Sequence, residues 1–537
     1  MRDIYLALPV FLPLISGIVL LMCRGQVIGQ KRVRQMEWAV EGIVLFTSVI
    51  VMLLLWSMAK ARGAEVEVTE AAGAGMASAG TAGEMKLVLF RLFGNLTVMF
   101  KLDLMGGLFA GLVAFLWPLA TLYSFEYMEH ETRKPTFFAY YTMTYGVTMG
   151  IALAGNLVTL YVFYEMLTLV TFPLVLYPMT KEAAQASRRY LYYSIGGAAF
   201  AFLGLIFVLN FSATGTTEFL PGGILDPAAA QGNQFVLLLI YVLAFFGFGV
   251  KAALFPCHGW LPKATVAPTP VTALLHAVAV VKSGAFAILR LTYFCFGIRI
   301  LRGSWAQWAV MAAALITIIY GSTMAVREVH WKRRLAYSTI SNLSYILFGA
   351  TMMSPLGLAA SLCHLVAHAF MKICSFFCAG AVMHKSGKTY VYELDGLGKR
   401  MPLTFGCLTV ASLSLMGIPL FAGFISKWNL AQAALACGGE TGEWLPAAGV
   451  AVILYSALMT GIYMLTVLVR AYFPKILNAA GRSAGTDDLT KGDWAEVCDP
   501  GWCMLLPLFI FAAAILVIGL HSEPLVNLLM AIGGEIG

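Results

Sequence analysis

Apolar residues in this chain fall in blocks of about 18 to 28 separated by short polar stretches, and a helix of that length crosses a hydrocarbon layer about 30 Å thick. Read this way, the chain has about fourteen spans, beginning near Ile4, Trp38, Leu104, Phe137, Leu157, Tyr190, Phe235, Thr269, Trp305, Leu335, Leu356, Leu403, Leu445 and Trp502. The expected fold class is an all-α polytopic membrane protein. The first block, Ile4 to Met22, is longer than the apolar core of a secretory signal and meets no small-residue cleavage pattern before Arg24, so it counts as a span. Two stretches depart from the pattern. The Ala/Gly-rich run Gly63 to Gly83 reads as a flexible external loop, and Leu87 to Asp103 alternates weakly, which predicts a short hairpin before the third span.

Composition agrees with the periodicity. Of 537 residues, 60% are apolar and only 12% charged, about half the charged fraction of a soluble domain. The formal charge of +8 raises the question of nucleic acid, but its distribution answers it: about 22 of the 35 basic residues lie in loops after odd-numbered spans and about eight on the opposite side. That asymmetry belongs to an inner (plasma) membrane protein with both termini outside the cytoplasm, and no nucleic-acid partner is expected. Ten cysteines form no CxxC pair and read as unpaired, core-like residues.

Lys251, Lys282, Arg290, Lys372 and Lys427 belong to no loop. Arg290 lies near a span end, from which it is expected to snorkel to water. The other four sit at membrane depth, where each charge costs at least about 2.5 to 3.5 kcal/mol and calls for a partner or a function. Glu165 reads as the one carboxylate well inside an apolar block, and hence as the partner of a buried lysine. Pro256 predicts that the seventh span breaks just after Lys251. Gly417, Pro419 and Gly423 interrupt the twelfth shortly before Lys427. Broken helices 7 and 12 in corresponding positions are the mark of an inverted-repeat transporter with its ion site near mid-membrane.

His364, His368 and Lys372 recur at intervals of four and form a polar stripe on one slowly drifting helix face. Such a stripe can bind a metal, relay protons or satisfy interhelical contacts; no acidic ligand accompanies the histidines, whereas imidazole titrates near neutral pH. His276 and Lys282 are six residues apart, about 120° on an unbroken helix, so one narrow path cannot reach both.

The run from Phe255 to Ala264, the run from Ala267 to Ala277, Lys332-Arg333-Arg334-Leu335-Ala336-Tyr337-Ser338, the stripe from His364 to Lys372, and Gly423-Phe424-Ile425-Ser426-Lys427 together resemble the antiporter-like, proton-conducting subunits of respiratory complex I, Mrp-type sodium/proton antiporters and membrane-bound hydrogenases. The resemblance spans about spans 4 to 13. It implies a fourteen-helix core with two inverted five-helix repeats, dividing the chain into 1–124, 125–295 (spans 4–8), 296–473 (spans 9–13) and 474–537. It also implies relay roles for Glu165, Lys251, His276, His364, His368, Lys372 and Lys427, with Lys282 like the lysine of the hydrogenase and Mrp branches. Lys263, Glu328 and His330 depart from the family pattern and bear on entrance and docking.

The expected function is therefore a proton-translocating subunit of a respiratory or hydrogenase-type complex, with other membrane subunits as partners. A subunit of an Mrp-type Na+/H+ antiporter is the alternative, and a metalloenzyme built on His364 and His368 a distant third. A carboxylate beside a buried lysine favours the charged lysine, so opening the Glu165–Lys251 pair should release a proton into the relay. No flavin, nicotinamide or iron–sulfur motif is evident, so no cofactor is expected and electron transfer falls to partners. About 17 residues follow the last span, too few for a long lateral helix, which argues for an inner position in the complex.

Overall fold

The computed structural model describes residues 2–26, 29–71, 85–213, 215–474 and 497–536. Its helices are α1 (Leu8–Cys23), α2 (Gln30–Ala71), α3 (Leu104–Tyr127), α4 (Lys134–Ala152), α5 (Leu157–Leu176), α6 (Lys181–Asn210), α7 (Gln234–Gly249), α8 (Thr269–Ala277), α9 (Val280–Arg290), α10 (Trp305–Arg327), α11 (Trp331–Ala350), α12 (Pro355–Ser386), α13 (Pro402–Met416), α14 (Ala422–Thr441), α15 (Trp444–Tyr472), α16 (Trp502–Leu520) and α17 (Glu523–Gly534), with a few shorter turns between them. Local sequence sets many of the starts. Asp103, Asn156, Thr180, Ser304 and Ser354 each accept a backbone N–H of the first turn that follows, satisfying donors that the helix itself leaves free.

The hairpin expected before the third span is present: β1 (Met85–Phe93) pairs antiparallel with β2 (Leu96–Leu102), Met85 opposite Leu102. The first part of the loop expected at Gly63 to Gly83 is helical. α2 runs on to Ala71, because Ala and Glu support a helix where the glycines are sparse; the rest, 72–83, lies outside the described residues.

Among the described residues, ten helices are long and apolar enough to cross a membrane. Four predicted spans are not among them, for visible reasons. α4 is rich in Tyr and Thr, α11 opens on three basic residues, and the spans beginning at Gln234 and Pro402 are cut short by breaks. Two membrane-length segments form the centre. Thr269–Phe296, which contains α8, α9 and a π turn, and α12 are buried throughout their apolar windows. α12 packs against α8, α11, α13, α14, α16 and α17, so its polar stripe faces protein on every side.

Three breaks shape this centre. α7 ends at Gly249, two residues before Lys251 and earlier than Pro256 suggested. Ala253, at φ 56°, carries the chain through the bend, and Trp260 Nε1 donates to the Val250 carbonyl at 2.8 Å, tying the broken segment down. The second break separates α13 from α14 at residues 417–421. The third, at Val278 and Ala279, divides the eighth span, and both amides there donate to the Leu274 carbonyl. The 120° offset between His276 and Lys282 assumed an unbroken helix, and that assumption fails.

Candidate functional site

Lys251 lies within the first break and is fully buried. Its Nζ donates to the Tyr164 carbonyl of α5, stands 3.4 Å from the Tyr164 ring centroid and is 3.9 Å from Glu165 Oε1. The predicted pair is therefore made, but loosely. Glu165 Oε1 has no hydrogen-bond partner, and the glutamate side chain is 29% exposed against none for the lysine. Glu165 thus opens onto the outer surface of α5 while holding a buried cation. Gly284 of α9 allows the approach, since a Cβ there would lie 2.6 Å from the Ala252 nitrogen.

The eighth span and α12 carry the middle of the site. His276 packs its ring on Phe376 with centroids 4.8 Å apart, and neither ring nitrogen is bonded. Beyond the break, Lys282 donates to the Leu365 carbonyl of α12 at 2.6 Å. This places it beside the α12 stripe, although one narrow path was not expected to reach both it and His276. His368 is the hub: both ring nitrogens lack hydrogen-bond partners, and Lys282, His364, Lys372 and His276 all lie within its electrostatic reach. His364 and His368 have ring centroids 5.9 Å apart, and His364 Nδ1 shares a 2.9 Å bond with Ser426 Oγ. Lys372 donates to Ser338 Oγ at 2.5 Å and to the Leu335 carbonyl at 3.3 Å. All five of these ionisable side chains are fully buried. Among the described residues no cluster of three or more His, Cys, Asp or Glu side chains could hold a metal.

Lys427 closes the row at the second break. Its Nζ donates to the carbonyls of Leu415 at 2.7 Å and Met416 at 3.1 Å. These are last-turn carbonyls of α13, which lack intrahelical partners and carry the negative end of the helix dipole. The lysine is 5.7 Å from the Tyr345 ring centroid. Gly423 is required beside it, because a Cβ there would collide with the Ser414 carbonyl.

Two expectations are corrected. Arg290 does not snorkel: it is fully buried and grips Asp103 with two 2.6 Å bonds, while Phe219, Phe286 and Phe294 surround the guanidinium. A bidentate carboxylate replaces water, so there is no drive to reach the interface. Nor is Glu165 the one carboxylate inside: Asp103, Glu37 and Glu41 are buried as well. Asp103 had a sequence signal, as an acidic residue directly before an apolar helix, but nothing local pointed to Arg290. Ser338 and Ser426 were also missed, since lone serines in apolar helices are ordinary. Lys263 and Glu328 line one cavity of ≈ 340 Å³ with Glu182, Arg189 and Arg333.

Residues 154–451 match the family model described as NADH:quinone oxidoreductase/Mrp antiporter, TM. The chain is 32% identical over 430 residues to NADH-quinone oxidoreductase subunit N of Desulforudis audaxviator, covering 79% of this chain and 82% of that one. It is 36% identical over 332 residues to a probable K(+)/H(+) antiporter subunit of Rhizobium meliloti, covering 61% of this chain but only 32% of that longer protein. In fold it is similar to a chain of the Mrp complex from Dietzia sp. DQ12-45-1b, with TM-score 0.78, 22% identity, and coverage of 100% of this chain and 98% of that one. The matched segment holds all eight candidate relay residues, from Glu165 to Lys427, and on this likeness the chain is a multi-pass membrane protein belonging to the family of transmembrane subunits shared by NADH:quinone oxidoreductases and Mrp antiporters.

Proposed function

We propose that this chain is a proton-translocating subunit of a multisubunit, redox-coupled membrane complex, and that Glu165, Lys251, His276, Lys282, His364, His368, Lys372 and Lys427 carry the protons. The observation behind this reading is one buried row of lysines and histidines whose two ends, Lys251 and Lys427, each sit at a helix break. Buried cations without tight carboxylate partners are costly at membrane depth, and a proton path gives that cost a purpose. Glu165 is the control point: a neighbouring subunit that draws it away removes the attraction favouring a charged Lys251. The proton then passes by way of His276, Lys282 and the α12 stripe to Lys427.

We further infer that the four shorter or more polar spans also cross the bilayer, giving fourteen crossings. Spans 4–8 and 9–13 form two inverted repeats, with segment boundaries at 124/125, 295/296 and 473/474. The loop charge asymmetry supports both termini outside the cytoplasm and placement in an inner (plasma) membrane. The match over most of both chains to a quinone oxidoreductase subunit favours a redox complex. Exchange of Na+ or K+ for protons is the second reading, favoured by the antiporter match.

Purification of the intact assembly from native membranes separates the two. Redox subunits in the complex support the pump, whereas small membrane partners alone and cation-dependent proton flux support the antiporter. Lys251→Ala tests the relay itself: proton flux in inverted vesicles should be abolished with assembly retained, and unchanged flux would sink the proposal.

A further inference from the structure

Along α11, Arg334, Ser338, Ser341 and Tyr345 recur at intervals of four, three and four, so they share one helix face. Opposite them α15 presents Ser456, Thr460 and Tyr463 at the same spacing, and α10 adds Ser322. All eight residues are buried. A buried serine or threonine in a helix can satisfy its hydroxyl on the carbonyl four residues back, as Ser322 does on Ile318 at 2.8 Å and Thr460 on Ser456 at 2.7 Å, so it needs no partner on another helix. Yet the hydroxyls of Ser322, Ser338, Ser341, Ser456 and Tyr463 also meet one another across helices.

Lys372 Nζ donates to Ser338 Oγ at 2.5 Å, Ser338 Oγ and Tyr463 OH share a 2.5 Å bond, and Tyr463 OH donates to Thr460 Oγ1 at 3.2 Å. One turn further along α15, Ser456 Oγ lies 2.5 Å from Ser322 Oγ and 3.0 Å from Ser341 Oγ, and those two are 2.9 Å apart. Tyr345 ends the seam. Its hydroxyl has no hydrogen-bond partner and faces Ser456, while its ring stands 5.1 Å from His364 and 5.7 Å from Lys427 Nζ. At the opposite end Arg334 donates to the carbonyls of Tyr463 at 3.1 Å and Glu328 at 2.8 Å. A fixed guanidinium there repels an entering proton, so the seam communicates with the relay and is closed beyond it.

We propose that this hydroxyl seam is a second proton path from Lys372 to Lys427, parallel to the one through His368 and His364; it rests on the relay reading above. Each hydroxyl both donates and accepts, so it takes one proton and hands on another with no net change. Lys372 gives a proton to Ser338, Ser338 passes one to Tyr463, and Tyr463 passes one to Thr460. A single water bridges the helical turn between Thr460 and Ser456, where neighbouring hydroxyls offer it partners. Ser456 then passes a proton to Tyr345, and Tyr345, whose ring centroid is 5.7 Å from Lys427 Nζ, delivers one to the Lys427 amine through a second bridging water. Lys372 ends one proton poorer and Lys427 one richer.

The test uses the intact complex in membrane vesicles, with proton flux driven by an imposed potassium diffusion potential and normalised to assembled complex. Ser341→Ala with Ser456→Ala leaves every partner of Lys372 in place and should lower flux to about half, the share of one of two independent routes. His368→Ala should leave a comparable residue, and combining it with the serine pair should abolish flux. Ser341→Thr with Ser456→Thr, which retain hydroxyls, should restore it. The seam is overturned if His368→Ala alone abolishes flux, or if the serine pair lowers only the amount of assembled complex, which is the behaviour of packing contacts. It is equally overturned if only Ser338→Ala has an effect, since Ser338 then merely holds Lys372. Unchanged flux in Lys251→Ala overturns the relay and the seam with it, whereas a dead Lys251→Ala beside a silent serine pair overturns the seam alone.

Discussion

The centre of this protein holds two ion pairs, each with a fully buried cation, that differ in almost every other respect. Arg290 and Asp103 meet through two 2.6 Å bonds, both side chains are buried, and three phenylalanines enclose the guanidinium. Lys251 and Glu165 are 3.9 Å apart, the lysine spends its hydrogen bond on a backbone carbonyl, and the glutamate reaches the outer surface of α5. A pair with both carboxylate oxygens bonded to the guanidinium and no access can only hold parts together. A pair with an unbonded oxygen and one exposed member can be opened from outside. Burial of a charge therefore does not by itself single out a candidate relay residue; incomplete pairing at a helix break is what sets Lys251 apart from Arg290.

The largest expected effect tests this contrast directly. Lys251→Ala or Glu165→Ala should abolish proton flux while assembled complex stays near its normal amount, both measured in the same inverted vesicles. Next comes the opposite signature at the other pair. Asp103→Ala leaves Arg290 charged and unpaired, costing about 3 to 5 kcal/mol, and should reduce assembled complex and its thermal midpoint while flux per complex is kept. If Asp103→Ala instead stops flux at normal assembly, the distinction collapses.

A smaller effect is expected from Gly284→Ala, which forces a methyl against the backbone of Lys251. Overpacking of this kind costs about 1 to 3 kcal/mol, and partial loss of flux with modest loss of assembly would show that the break geometry matters along with the lysine. The smallest change should follow replacing both members of the closed pair, Asp103→Leu with Arg290→Met. Removing both charges from a buried pair is often close to neutral, so recovery of assembly toward normal, read on a native gel, would confirm that the pair only holds structure.

Much of this was legible in one dimension. Lys251, Lys282, Lys372, Lys427 and Glu165 stand out because a charge inside an apolar block is costly wherever the chain folds, and Pro256 and Gly417-Ile418-Pro419 announce two of the breaks. The third, at Val278 and Ala279, has no proline or glycine to announce it, so the sequence put His276 and Lys282 about 120° apart, an offset that holds only for an unbroken helix. Arg290 was misjudged because its partner is 187 residues away, and distance along the chain hides a contact that only packing makes.

Hydrophobic patterning alone determined the membrane class, the order of most spans, the hairpin and the depth of the ionisable residues, because each depends on a segment's own transfer cost between water and lipid. Tertiary structure decided the partners. Which carbonyl accepts Lys427 depends on where α13 stops; whether a carboxylate is open or sealed depends on which helices surround it. A run of serines reads the same in sequence whether each hydroxyl bonds its own helix or its neighbours, and only the packing of α10, α11 and α15 joins these hydroxyls across helices.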